Sequence, residues 1–167
     1  VYTNAKIFDE AKLFCDWYVV ANKKEKDIKK INLQLKKIIK SLIKKIMLKN
    51  DTFVHRDFHI SNIIPCKNSY GILDSQDAVI GNKAYDLASL IDDVRFQTSR
   101  KLKAQLFSYY IDINKNKINN IELENDFYIL SVLRNLKIIG IFTRLSLRDV
   151  SYTHLRANET GYNLGLR

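Results

Sequence analysis

Apolar residues recur every three or four positions from Ile7 to Tyr18 and again from Ile28 to Ile46, lose that rhythm between Asp51 and Gly81, and regain it at Tyr85. A buried helix face returns every 3.6 residues and a half-buried strand every second residue, so the chain must set a short β-prone block between two helical blocks. In the first block Ile7, Ala11, Phe14 and Tyr18, with Phe8, Cys15 and Trp17 alongside, predict a helix over 6–21. Ile28, Ile31, Leu35, Ile38, Leu42 and Ile46 predict a second helix over 24–49, closed by Asn50-Asp51. Thr52–His55, Asn62–Ile64 and Tyr70–Asp74 read as two or three short strands separated by turn residues such as Lys67-Asn68-Ser69. Helical spacing then covers 85–91, 100–112 and 121–146, with Asn114–Asn120 as a polar connector. Residues 150–167, VSYTHLRANETGYNLGLR, carry neither period and differ in texture from the Lys/Ile/Asn-rich body. They are expected to be an atypical tail, disordered or foreign to the gene. The expected fold class is α+β, mainly helical, in one domain with no repeat and no dividing linker.

The net charge of +10 suggests a polyanion partner until it is placed along the chain. Residues 1–50 carry +8 of it and residues 51–167 only +2, and eleven lysines lie within Lys23–Lys49. They fill the polar positions of one amphipathic helix, with no aromatic among them to stack on bases. A solvated helix face is therefore expected, with neither nucleic acid nor membrane as partner. A non-enzymatic chain binding an anionic partner through this basic helix is kept as a rival reading. No apolar run approaches the ~20 residues of a membrane span. Cys15 and Cys66 form no CxxC pair, and VYTNAKIFDE lacks the pattern of a signal peptide, so a reducing cytoplasm is expected. The two thiols are expected to be buried or half-buried. Trp17 and Tyr18 are expected in the core.

The chemistry is concentrated in Val54-His55-Arg56-Asp57-Phe58-His59-Ile60-Ser61-Asn62-Ile63 and the following Gly71-Ile72-Leu73-Asp74. Asp57, Asn62 and Asp74 stand at the ends of short strands rather than on solvated helix faces. Phosphoryl transfer needs such a set: a carboxylate to take the proton of the attacking hydroxyl, and an amide with a second carboxylate to hold Mg²⁺ on nucleotide phosphates.

His55-x-Asp57-x-x-x-x-Asn62 with Leu73-Asp74 resembles the catalytic loop and metal-binding Asp of the protein-kinase-like superfamily. Within it the likeness is to the aminoglycoside-phosphotransferase-like branch, and most to the kinases that phosphorylate N-acetylmuramate or N-acetylglucosamine at the anomeric hydroxyl. Glu10–Tyr18 resembles the ExxLFxDWY helix of those kinases, Val54–Ile63 their VHRDFHxxNI loop, Leu73–Gly81 their IDFQDAxxG, Tyr85–Leu90 their YDLASL, and Arg134–Arg148 their RNLKxxGIFxRLxxRD. The likeness covers about residues 5–149. It implies a protein-kinase-like carboxyl-terminal lobe over 1–149 whose short strands carry the catalytic and metal-binding loops, with the amino-terminal nucleotide lobe absent.

Carried over by position, the resemblance makes Asp57 the catalytic base and Asn62 and Asp74 the Mg²⁺ ligands. His55 becomes a residue packing the loop, and Asp86 a brace accepting its backbone N–H groups. Arg56, His59, Gln76 and Asp77 become candidates for substrate contact. ATP and Mg²⁺ are the implied cofactors, and an N-acetylated amino sugar in cell-wall recycling the implied substrate, with an aminoglycoside or a choline-like alcohol as alternatives. The implied setting is cytoplasmic. Ser75 departs from the family's Phe after the metal-binding Asp. After Asp149 the chain departs from the family's GKxxYL. No glycine precedes residue 51, so the Gly-rich loop that holds ATP phosphates in such kinases is not among these residues.

Other readings fit less well. A zinc helix with His55 and His59 four apart would need Glu directly after the first His, where Arg56 stands. A protein kinase would need Phe-Gly after Asp74 and an Ala-Pro-Glu, yet Ser75-Gln76 follows and the single proline is Pro65.

Overall fold

The computed structural model describes residues 1–93, 96, 98–115 and 117–162, as backbone only from 149 on. Helix α1 (Asn4–Ala11) starts where the Thr3 hydroxyl accepts the Lys6 N–H at 3.3 Å. The chain then widens into a π-helical turn, Phe14–Val19, and closes with a last α-turn, α2 (Val20–Asn22). The buried residues are Ile7, Ala11, Cys15 and Val19, spaced by four. Tyr18, expected inside, is instead 38% exposed and stacks on Phe14 at 4.8 Å, because the wider turn rotates the stripe from position 18 to 19. Trp17 is half-buried.

Helix α3 (Glu25–Ile43) buries Ile39 and Ile43 and leaves Ile38, expected in the stripe, 55% exposed. It ends six residues before the expected Lys49. The reason is distant in sequence. The Met47 and Leu48 N–H groups donate to Asp126 Oδ1 and Oδ2, both at 2.8 Å, and Asn82 Nδ2 donates to the same carboxylate at 2.7 Å. A fully buried carboxylate with these donors, and Asn125 Nδ2 at 2.9 Å as a fourth, outweighs another helical turn, so the chain leaves the helix and enters β1.

Four strands form two antiparallel pairs. β1 (Asn50–Val54) pairs with β4 (Val79–Asn82), with Phe53 opposite Ile80 and Val54 opposite Val79. β2 (Ile63–Cys66) and β3 (Ser69–Ile72) form a hairpin with Ile63 opposite Ile72. The β-prone block therefore holds four strands where two or three were expected. Cys66, expected at least half-buried, is exposed on this hairpin, whereas Cys15 is fully buried.

Three helices complete the fold: α4 (Ala84–Ile91), α5 (Arg100–Ile113) and α6 (Asn120–Tyr162). Ser99 and Asn119 cap α5 and α6. Six of the eight residues of α4 are buried, against the α6 spine Leu123, Phe127, Leu130 and Leu133. A Cβ at Gly140 of α6 would lie 2.4 Å from the Leu13 carbonyl carbon, so this glycine lets α6 press onto the backbone where the π-turn begins. The α6 backbone runs on to Tyr162 through residues whose sequence shows no helical period, because no proline or glycine interrupts it between Gly140 and Gly161. The part of the expected tail at 163–167 lies outside the described residues. Among the described residues no helix is long and apolar enough to cross a membrane. The architecture is α+β and mainly helical, with two small strand pairs whose ends lead into the loops that carry the motif residues.

Candidate active site

The site begins where β1 ends. Val54, His55 and Arg56 are buried, and the chain emerges at the half-buried Asp57. Asp86, one turn into α4, accepts the His55 N–H on Oδ2 at 2.6 Å and the Arg56 N–H on Oδ1 at 3.0 Å. One carboxylate thus satisfies two consecutive backbone donors that no strand partner reaches. Burial pushes the Asp86 carboxyl above its usual range, against the pull of these two donors and of His55 and Arg134.

His55 reaches from the first loop to the second. Its Nε2 lies 2.8 Å from the Leu73 carbonyl, which can only accept, so Nε2 carries the proton. Leu73 immediately precedes Asp74, and Asp74 sits at φ 67°, ψ 40°, in the left-handed region that side chains rarely adopt. Arg56 shares that region at φ 75°. One of these two residues precedes Asp57 and the other is Asp74 itself, and strain of this kind persists where surrounding contacts over-determine it.

Asn62 closes the first loop on itself. Its Nδ2 donates to the Asp57 carbonyl at 3.0 Å, and the His59 N–H reaches the same carbonyl at 3.0 Å. The amide nitrogen is thereby committed inward, and the amide oxygen is the atom left for coordination. The Leu73 N–H donates to the Asn62 carbonyl at 2.9 Å, which ties the loops together again. Gln76 Nε2 donates to Asp74 Oδ1 at 2.6 Å at the exposed rim. Asp77 is also exposed, and its backbone carbonyl accepts from Arg56 Nη1 at 3.2 Å.

The sequence candidates are therefore brought together, but not in equivalent settings. Asp57, Asn62, Asp74, Gln76 and Asp77 stand at or near the surface, and His59 is half-buried beside them. The Arg56 guanidinium, a candidate for substrate contact, points into the interior, ion-paired with Glu10 and lying 5.3 Å over the Tyr2 ring. The Glu10 carboxylate also receives the Tyr2 hydroxyl at 2.6 Å and Lys137 Nζ at 2.9 Å. Burial alone would raise the Glu10 carboxyl, but Lys137, Tyr2 and Arg56 together hold it below its ordinary value. Glu10 and Lys137 lie inside the quoted helix motifs, yet nothing in local spacing links residues 46 positions apart or more to the loop. Among the described residues no group of three or more His, Cys, Asp or Glu could hold a metal ion. Two oxygen donors, Asn62 and Asp74, suit a hard cation that takes its other ligands from phosphates and water.

Residues 5–118 match the model of the phosphotransferase enzyme family. The chain belongs to that family. Over 153 residues, 89% of the chain, it is 28% identical to the N-acetylmuramate/N-acetylglucosamine kinase of Neisseria meningitidis and 29% identical to that of Pseudomonas aeruginosa. Over 102 residues, 58% of the chain, it is 33% identical to the kinase of the same name from Caulobacter vibrioides. The matched parts cover 46%, 45% and 28% of those proteins, so the chain spans less than half the length of the curated relatives it matches.

Proposed function

We propose that the chain is the catalytic, carboxyl-terminal lobe of an ATP-dependent kinase that phosphorylates the anomeric hydroxyl of N-acetylmuramate or N-acetylglucosamine, in cytoplasmic cell-wall recycling. The nucleotide-holding lobe is proposed to lie outside these 167 residues. The observation that carries the reading is the loop pair in a member of the phosphotransferase enzyme family: half-buried Asp57, its carbonyl gripped by Asn62, and Asp74 held left-handed beside the His55–Leu73 bond. The relatives' names support the amino sugar. Tyr70 and Ile72 on one face of the β2–β3 hairpin, and Ile64 on the other, are exposed apolar side chains.

In this reading the Asp57 carboxylate accepts the proton of the sugar hydroxyl as its oxygen attacks the γ-phosphorus, while the Asn62–Asp57 bond fixes where that carboxylate stands. Asn62, through its amide oxygen, and Asp74 would hold Mg²⁺. When bound, the ion neutralises charge on the phosphates. Gln76 keeps the Asp74 carboxylate oriented.

The test is an acceptor panel with the complete protein, Mg²⁺ and ATP, followed by phosphorus NMR of the product. An anomeric phosphate on N-acetylated sugars, with aminoglycosides and choline left unmodified, is the expected result. Phosphorylation of an aminoglycoside or choline alone would move the substrate, and phosphorylation of none would overturn the kinase reading.

A further inference from the structure

We propose that Glu10 is a positioning residue for both site loops, acting through Arg56 without touching substrate. The inference rests on the reading of Asp57 as the base and Asp74 as a metal ligand. Arg56 is fixed at two ends. Asp86 holds its backbone N–H, and Glu10 holds its guanidinium, in a residue only 8% exposed. The next residue is Asp57, so any rotation of Arg56 moves the base. The same guanidinium donates through Nη1 to the Asp77 carbonyl, in the turn that follows Asp74. One side chain therefore joins the loop of the base to the loop of the metal ligand.

Glu10 aims that side chain. Its two oxygens divide the work, Oε1 taking Arg56 and Oε2 taking the Tyr2 hydroxyl and Lys137. The carboxylate is thereby locked between α1, the amino-terminal segment and α6. Without it the guanidinium would keep only the Asp77 carbonyl and the face of Tyr2, and Lys137 would be a second cation nearby. The left-handed φ of Arg56 adds a diagnostic. Glycine adopts that backbone readily, so Arg56→Gly removes the anchor while relaxing the backbone.

The test uses the complete protein in three variants, Glu10→Gln, Arg56→Gly and the double. Displacements near 1 Å typically cost about 10²-fold in rate, so each single variant is expected to lower kcat about 10–100-fold with the sugar KM within about twofold. The double variant is expected to fall no further than the worse single, since both act through one contact. A purely structural role would lower the unfolding temperature without this split between kcat and KM. Full kcat in Glu10→Gln, or multiplied losses in the double, would overturn the proposal. Hydrogen exchange gives a readout that does not need activity. In Glu10→Gln the Asn62 amide, bonded to the His59 carbonyl, and the Ala78 amide, bonded to the Ser75 carbonyl, are expected to exchange faster together. If either keeps its wild-type protection, the link between the loops is refuted, whatever the acceptor panel shows.

Discussion

The two loops of the site are built on opposite principles. The loop that leads to Asp57 is anchored from below: His55 and Arg56 are buried, and Asp86, Glu10 and the Leu73 carbonyl engage them. The hairpin and the turn around Asp74 rest on the surface, with Ile64, Tyr70, Ile72 and Leu73 between 42% and 75% exposed. The loop of Asp74 is tied to the first loop by three bonds, from His55 Nε2 to the Leu73 carbonyl, from the Leu73 N–H to the Asn62 carbonyl and from Arg56 to the Asp77 carbonyl. The contrast suits the proposed phosphoryl transfer, in which the base must be held firmly while the metal side must admit and release a nucleotide.

The comparison breaks first at Asp86. Asp86→Ala strands two buried backbone donors, at about 1–3 kcal/mol each, so a loss of about 2–5 kcal/mol in unfolding free energy is expected by denaturant titration. A loss under about 1 kcal/mol would mean that the first loop is not held from below.

A smaller effect comes from acid. The Glu10 carboxyl lies below its ordinary value, so it stabilises the fold above its unfolded pKa of about 4.3, and that contribution disappears as pH falls through the lowered folded value. Asp86, raised by burial, has the opposite sign, but it is common to wild type and Glu10→Gln. The stability difference between those two proteins should therefore shrink on acidification below about pH 4.3. A difference that stays constant or widens there would contradict the assignment of the charge.

The smallest effect is expected on the surface side. Tyr70→Ser, at a side chain 75% exposed, should change the stability of this chain by no more than about 0.5 kcal/mol. A loss above about 1.5 kcal/mol would show that the hairpin is tied to the core after all.

The same contrast explains how much could be read from sequence. The HxDxxxxN spacing is local, so the loop and its later Asp are visible along the chain, whereas the bracing Asp86 is legible only through the family resemblance. The Glu10–Arg56 and Asp126–Met47 contacts join residues 46 and 79 apart, and neither period nor motif encodes such pairs. For the same reason α3 was expected to run to Lys49, although Asp126 draws the chain out of the helix after Ile43. β4 leaves no mark in the sequence because Val79–Asn82 is too short to show alternation and is defined by its pairing with β1. The shift of the buried stripe from Tyr18 to Val19 follows from a π-turn with no signal of its own, visible only through Gly140 pressing on Leu13.

The central claim is that Asp57, carried on the buried loop, takes the proton of the attacking hydroxyl. Its most direct measurement is kcat for Asp57→Asn in the complete protein with ATP, Mg²⁺ and N-acetylglucosamine, alongside the unfolding temperature. The account predicts a fall of about 10²–10⁴-fold with the fold intact. A correctly folded Asp57→Asn protein with near-wild-type turnover would contradict it.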